Sequence, residues 1–222
     1  CISLIIYRCT AMVKRMNLLY YINMDILFEN ASVLTMCDER PVIRGAFVGV
    51  TDGFITLVSD ERPRESARRV IDCRGDILMP GLVNAHAHTA MCIMRGYADD
   101  YALQPWLFEK VFPVEARLTN EAITAGARLG FAEMIASGTT SASDMYFRQP
   151  AVARLALEVG FRVSLSNGIV AMGGRLDPND RAFTELDELI RDFHGRGDGL
   201  VRADASIHAE YTSFPEAWHR ET

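Results

Sequence analysis

From Met24 to Met79 the apolar residues come in short runs broken by polar and turn-forming residues. Ile26–Phe28, Ala31–Met36, Ala46–Val50, Phe54–Val58 and Val70–Asp72 have the length and flanks of β-strands. Thr51-Asp52-Gly53 separates two of these runs and carries an Asp-Gly hairpin signal. Residues 24–79 therefore read as a small all-β segment. The run Leu78–His88 follows and reads as one buried strand, with a kink at Pro80-Gly81 near its start.

After this strand the rhythm changes. A long connection, Thr89–Leu118, carries Pro105-Trp106, Pro113, Asp99 and Asp100. Connections this long are usually functional or hold short helices of their own. Thr119 is a plausible N-cap for a helix reaching Ser137, with Ile123, Ala127, Phe131 and Met134 at helical spacing and Gly138 as its stop. Thr139–Tyr146 reads as a strand. Pro150 suits the first turn of a helix to Glu158, and Gly160 ends it. Arg162–Val170 is the next strand, Gly173-Gly174 opens a loop, and Asp180–His194 is a helix. Val201–His208 is a fourth strand, and Pro215 starts a further helix.

Strands alternating with helices predict a parallel sheet with helices on its faces. Both an open doubly wound sheet and a (β/α)8 barrel fit. Neither G-x-G-x-x-G nor G-x-x-x-x-G-K-[ST] occurs, so the nucleotide-binding sheets lack their best signature. A complete barrel takes about 250 residues. Residues 80–222 supply roughly half of that, so the expectation is the first half of a barrel, with about four β–α units. Residues 1–23 hold three basic residues and no acid, and fit neither a secretory signal nor a mitochondrial presequence. They read as an upstream extension outside the fold.

His86 and His88 close the Leu78–His88 strand. Side chains two apart on a strand share a face, so both imidazoles point to one side. Two imidazoles on one face can hold a divalent metal given further ligands. The alternative is a pair of polar residues hydrogen-bonded to backbone at a strand end.

Composition narrows the partners. The net charge is −6, which argues against a nucleic-acid partner held on a basic surface. No run of about 18 uncharged apolar residues is present, so no spanning helix is expected. The five cysteines include no C-x-x-C pair, and an odd count in a long chain fits free thiols in a reducing cytoplasm.

The motif Pro80-Gly81-Leu82-Val83-Asn84-Ala85-His86-Ala87-His88-Thr89 is followed by Arg95-Gly96, Trp106-Leu107-Phe108 and Pro113-Val114-Glu115. Further on come Gly138-Thr139-Thr140, Asp144-Met145-Tyr146-Phe147, Gly173-Gly174-Arg175-Leu176 and His208-Ala209-Glu210-Tyr211-Thr212. Together these resemble the amidohydrolase superfamily, and within it the 5-methylthioadenosine/S-adenosylhomocysteine deaminases, in the group that includes triazine hydrolases and guanine deaminases. The resemblance runs from Met24 to about residue 217. It implies a TIM-type barrel beside a small β-sandwich built from both ends of a longer chain.

The same resemblance implies the chemistry. His86 and His88 are two ligands of a catalytic divalent metal, most often zinc, whose bound water attacks C6 of an adenine ring. Glu115 holds ribose hydroxyls, Arg175 clamps a substrate carboxylate, and His208 contacts the substrate. The remaining histidine and aspartate ligands and the proton-shuttling glutamate are expected beyond residue 222. No catalytic residue is therefore assigned within the chain, and the 222-residue polypeptide alone is expected to be inactive. The substrate is a small nucleoside or amino-heterocycle, with no nucleic acid and no membrane partner. Family members are often homo-oligomers, and no patterning in this chain bears on that.

Two positions depart from the pattern. Glu210 stands where the family usually has Pro in His-x-Pro-Tyr, and Asn167 where some members carry a second arginine. Hydrolysis of another ring substituent, as in triazine hydrolases, and a non-catalytic scaffold remain the alternatives. His208-Ala209-Glu210 also resembles the H-x-E of cytidine-type zinc deaminases, but that family needs a following P-C-x-x-C, and no cysteine follows Cys92.

Overall fold

The computed structural model describes residues 24–170, 177 and 179–209. The expected extension (residues 1–23), the Gly173-Gly174 loop with Arg175, Glu210 and the helix from Pro215 lie outside the described residues. The chain divides into two compact units, with the boundary between Gly81 and Leu82.

The first unit is a five-stranded sheet. β1 (Met24–Leu34) lies between β2 (Val42–Thr51), which is antiparallel to it, and β4 (Ala67–Asp72), which is parallel. β3 (Phe54–Ser59) pairs with the outer side of β2, and the short β5 (Ile77–Leu78) runs parallel to the end of β1. Asp52 and Gly53 both have positive φ, as a two-residue hairpin turn of the mirror-image type requires. The two apolar runs expected between residues 26 and 36 belong to one strand. Asn30 sits in the left-handed region between them and marks a shift of register. Phe28, Ala31, Val33, Ile43, Ala46 and Val48 form the core of this unit.

The single strand expected over Leu78–His88 is split in two. Ile77–Leu78 pairs with β1 in the first unit, and β6 (Leu82–Ala87) opens the second. Pro80 cannot donate a ladder hydrogen bond, so a continuous strand across Met79–Gly81 is disfavoured. β6 is not buried either: Leu82 and Val83 are 53% and 68% exposed. Among the described residues β6 pairs only with β7, which leaves its other edge uncovered.

The second unit alternates strand and helix. A 3-10 stretch, Thr89–Met94, follows β6. The long connection then holds helical structure, as expected: α1 (Leu103–Pro105), a π-helical stretch Trp106–Val111 and α2 (Phe112–Glu115). α3 (Asn120–Ala136) is capped by Thr119, whose hydroxyl accepts from the Ala122 N–H at 3.3 Å. β7 (Thr139–Tyr146) leads to α4 (Gln149–Val159), which stops at Gly160 in the left-handed conformation. β8 (Arg162–Ile169) precedes α5 (Arg181–Phe193), capped by the Asp180 carboxylate. A short turn, α6 (Arg196–Gly199), leads to β9 (Val201–Ala203) and β10 (Ser206–Ile207).

β6, β7 and β8 are parallel neighbours. β9 pairs with the first half of β8 and β10 with its end. The fourth strand is thus two pieces rather than the continuous Val201–His208. The interruption falls at Asp204, whose backbone N–H donates to the Leu165 carbonyl and whose carboxylate accepts from Ser164 Oγ. Ile123, Phe131, Leu155, Leu165, Leu189 and Val201 are almost fully buried and form the core between sheet and helices. No helix among the described residues is long and apolar enough to cross a membrane.

Candidate active site

The parallel strands end on one rim. Their C-terminal ends carry His86 and His88, Met145 and Tyr146, Asn167 and Gly168, and, after β10, His208. A cavity of about 560 Å³ opens there, lined by His88, Glu115, Tyr146, Asn167 and His208 among others. A second hollow of about 700 Å³ lies against Leu82, Asn84 and Glu133 and contains neither Glu115 nor His208.

The two histidines sit together as the strand alternation requires. Their ring centroids are 4.9 Å apart in an edge-to-face arrangement. His88 Nδ1 lies 2.6 Å from the Met145 carbonyl oxygen. A carbonyl only accepts, so Nδ1 carries the proton and Nε2 keeps the lone pair. Metal-binding histidines are commonly oriented in this way by a backbone acceptor. The neighbouring backbone is pinned as well: the Thr89 N–H donates to Asp144 Oδ1 at 2.7 Å, and Asp144 is buried. Burial pushes the Asp144 carboxyl above its usual range despite this bond. His88 is thus hydrogen-bonded to backbone, as one of the two sequence readings expects, with Nε2 not used in that bond. Among the described residues no group of three or more His, Cys, Asp or Glu could hold a metal ion.

Glu115 follows from the long connection. It is half-buried and accepts a hydrogen bond from the Tyr146 hydroxyl at 2.7 Å. Burial raises its pKa, while the Tyr146 bond and nearby His88 pull it back down. The Tyr146 phenol is itself pushed up, first by burial and then by the Glu115 carboxylate. His208 is half-buried against Gly168. Burial lowers its pKa, and His88 adds to the effect, so the neutral ring is favoured.

Three of the five sequence-identified residues, His88, Glu115 and His208, line the cavity. His86 packs on His88, and Arg175 lies outside the described residues. Tyr146 and Glu185 contribute beyond these residues, and Asn167, noted above only as a departure from the family pattern, takes part as well. Tyr146 sits in the Asp-Met-Tyr-Phe motif, but only the fold brings it to Glu115. Asn167 is buried and donates through Nδ2 to Glu185 Oε2 at 2.8 Å. Glu185 also accepts from the Arg148 backbone N–H and pairs with Arg181. Gly126 and Gly130 lie four residues apart on α3, where a Cβ would run into Ala90 O and the Thr89 side chain. That G-x-x-x-G spacing was visible in the sequence.

The sequence pattern of the Amidohydrolase family matches residues 77–219. The chain belongs to the amidohydrolase family. This amidohydrolase chain is 39% identical over 192 residues to a 5-methylthioadenosine/S-adenosylhomocysteine deaminase of Acetivibrio thermocellus, covering 85% of the chain and 44% of that protein. It is also 39% identical over 192 residues to a 5'-deoxyadenosine deaminase of Methanosarcina mazei, covering 86% and 44%. Among solved structures it resembles a zinc-bound adenosine deaminase from Xanthomonas campestris, with TM-score 0.75 and 33% identity over 86% of the chain and 44% of that one. The chain thus spans less than half the length of the relatives it matches.

Proposed function

We propose that the full-length protein is a metal-dependent hydrolase that deaminates an adenosine-like nucleoside. The observation that carries this reading is the cavity at the strand ends that gathers His88, Glu115 and His208. The deaminase names of relatives at 39% identity support it. In this reading residues 82–209 belong to the first four β–α units of a (β/α)8 barrel, and the sheet of residues 24–78 is part of a β-sandwich.

The residues fit a metal as far as they go. His88 presents Nε2 with Nδ1 already engaged, and His86 lies beside it. These two would hold a divalent ion, zinc by analogy with the zinc-bound neighbour. When bound, such an ion supplies hydroxide at neutral pH by lowering the pKa of a coordinated water to about 7. The other residues bind and orient. Glu115, fixed by Tyr146, accepts hydrogen bonds from ribose hydroxyls. His208, whose pKa burial lowers, can hydrogen-bond the substrate through a ring nitrogen. Arg175 would clamp a carboxylate where the substrate has one.

The test is ammonia release by the purified full-length protein, with and without zinc, from methylthioadenosine, S-adenosylhomocysteine, 5'-deoxyadenosine and an aminotriazine. Zinc-dependent release from an adenosine-type substrate is the expected result. Turnover of the triazine alone would move the protein to another amidohydrolase activity, and no turnover with stoichiometric zinc would remove the catalytic reading.

A further inference from the structure

Asp144 is a buried carboxyl to which the chemistry above gives no task. It lies on β7, is 1% exposed and does not line the cavity. Its side-chain partners among the described residues are neutral. Oδ1 accepts from the Thr89 N–H at 2.7 Å, and Oδ2 from the Gln149 amide at 3.4 Å. Gln149 opens α4 and is itself fully buried. A carboxyl taken out of water costs stability unless its bonds offset the loss.

The Thr89 bond accounts for the placement. Thr89 is the first residue of the 3-10 stretch Thr89–Met94, and the leading N–H groups of a helical turn have no partner inside it. The residue before such a turn normally supplies the cap, through a short Ser, Thr, Asp or Asn side chain. Here that residue is His88, and its side chain makes no capping bond. The His88 Nδ1 is engaged by the Met145 carbonyl instead. Asp144 supplies the missing acceptor from the next strand. Two consecutive residues of β7 thus hold two consecutive residues at the end of the histidine segment. Asp144 takes the backbone of Thr89, and Met145 takes the ring of His88. The same turn also packs on Gly126 and Gly130 of α3.

We propose that Asp144 is a positioning residue for the metal site: it caps the Thr89–Met94 turn in place of His88 and so leaves the His88 imidazole to the metal. This inference rests on the metal-dependent reading given above. Asp144 touches neither metal nor substrate, and acts only through the backbone that follows His88.

The test is the zinc affinity of the full-length protein, measured by competition with a chromogenic chelator, alongside urea unfolding of the zinc-free form. Asp144→Ala should weaken zinc binding by about tenfold or more, the scale of partners that act behind a metal ligand. Asp144→Asn keeps an acceptor for the Thr89 N–H, and its amide can donate to Gln149 once that side chain turns over. It should bind zinc within about threefold of the wild type, since the cap is kept. Leu189→Ala, in the apolar core, is the control for stability lost without loss of the cap. A purely structural role for Asp144 would lower urea stability and change zinc affinity by less than about twofold, as in that control, which would overturn the inference. An asparagine variant as weak as the alanine variant would overturn it too. Asp144→Ser, too short to reach Thr89, repeats the comparison should the alanine variant fail to fold. Zinc bound equally by the wild type and Asp144→Ala overturns the inference alone. No stoichiometric zinc in the wild type overturns both the inference and the metal-dependent reading.

Discussion

His88 gives its Nδ1 proton to the Met145 carbonyl at 2.6 Å, so the ring's free lone pair is on Nε2. The imidazole is thereby oriented by the fold itself, and the Thr89–Asp144 bond holds the backbone beside it, as a ligand in the proposed metal site would need. Preorganised ligands bind more tightly because less freedom is lost on binding. His88→Ala in the full-length protein should lower zinc affinity by more than about tenfold, since even outer-shell partners of metal ligands are worth 10–100-fold. Metal content after dialysis against a graded chelator measures this. Unchanged zinc retention would show that His88 is not a ligand.

The 3-10 stretch that follows His88 lies directly on two glycines of α3. A Cβ at Gly126 would collide with the Ala90 carbonyl oxygen, and one at Gly130 with the Thr89 side chain. The first obstacle is backbone and cannot rotate away. Gly126→Ala should therefore destabilise the protein by about 1–3 kcal/mol, the usual effect of overpacking, despite alanine's better helix propensity. In the proposed metal site it should also loosen zinc, because Thr89–Met94 begins directly after His88. Urea unfolding and metal retention on the same variant check both effects. A gain in stability would mean that the two segments separate freely.

The elements whose signals are local were legible in the sequence. Thr119 and Gly138 bracket α3, Pro150 and Gly160 bracket α4, and Asp180 caps α5, all from residues within a few positions of each boundary. The failures are non-local. Leu78 reads as the start of the histidine strand because its neighbours are apolar, yet it pairs with Val33 in the first unit. No local pattern reveals a partner 45 positions away. The site divides in the same manner. His86 lies on β6 and His88 one residue past its end, so their pairing is legible from a spacing of two. The Glu115–Tyr146 bond joins residues 31 apart, and the Asn167–Glu185 bond joins residues 18 apart, so only the folded strand ends bring them together.

Glu115 makes stability depend on pH in a definite direction. Burial raises its pKa above the ordinary carboxylate range, so the folded protein favours the protonated form more than the unfolded chain does. That contribution is complete below the ordinary carboxylate pKa and is lost as pH rises through the raised value. Glu115→Gln keeps the shape and an oxygen for Tyr146 but never ionises. Its melting temperature relative to the wild type should therefore rise between about pH 4 and about pH 8. Parallel thermal scans across that range give the comparison, and a difference that falls with pH would reverse the assigned direction.

Two contacts on the helical layer should differ in what they contribute. Arg128 and Glu158 form a paired contact between α3 and α4, with both bonds at 3.1 Å. Their side chains are 51% and 62% exposed, so water and salt screen the attraction. Leu189 on α5 is fully buried in the core of the second unit, among residues that include Phe161 and Val201. Arg128→Ala should cost less than about 1 kcal/mol, as exposed pairs do, and less again at high salt. Leu189→Ala should cost about 2–5 kcal/mol, because it removes buried surface and leaves a cavity. Urea unfolding at two ionic strengths separates the two. If Arg128→Ala cost as much as Leu189→Ala, α3 and α4 would depend on the ion pair rather than on the apolar core beneath them.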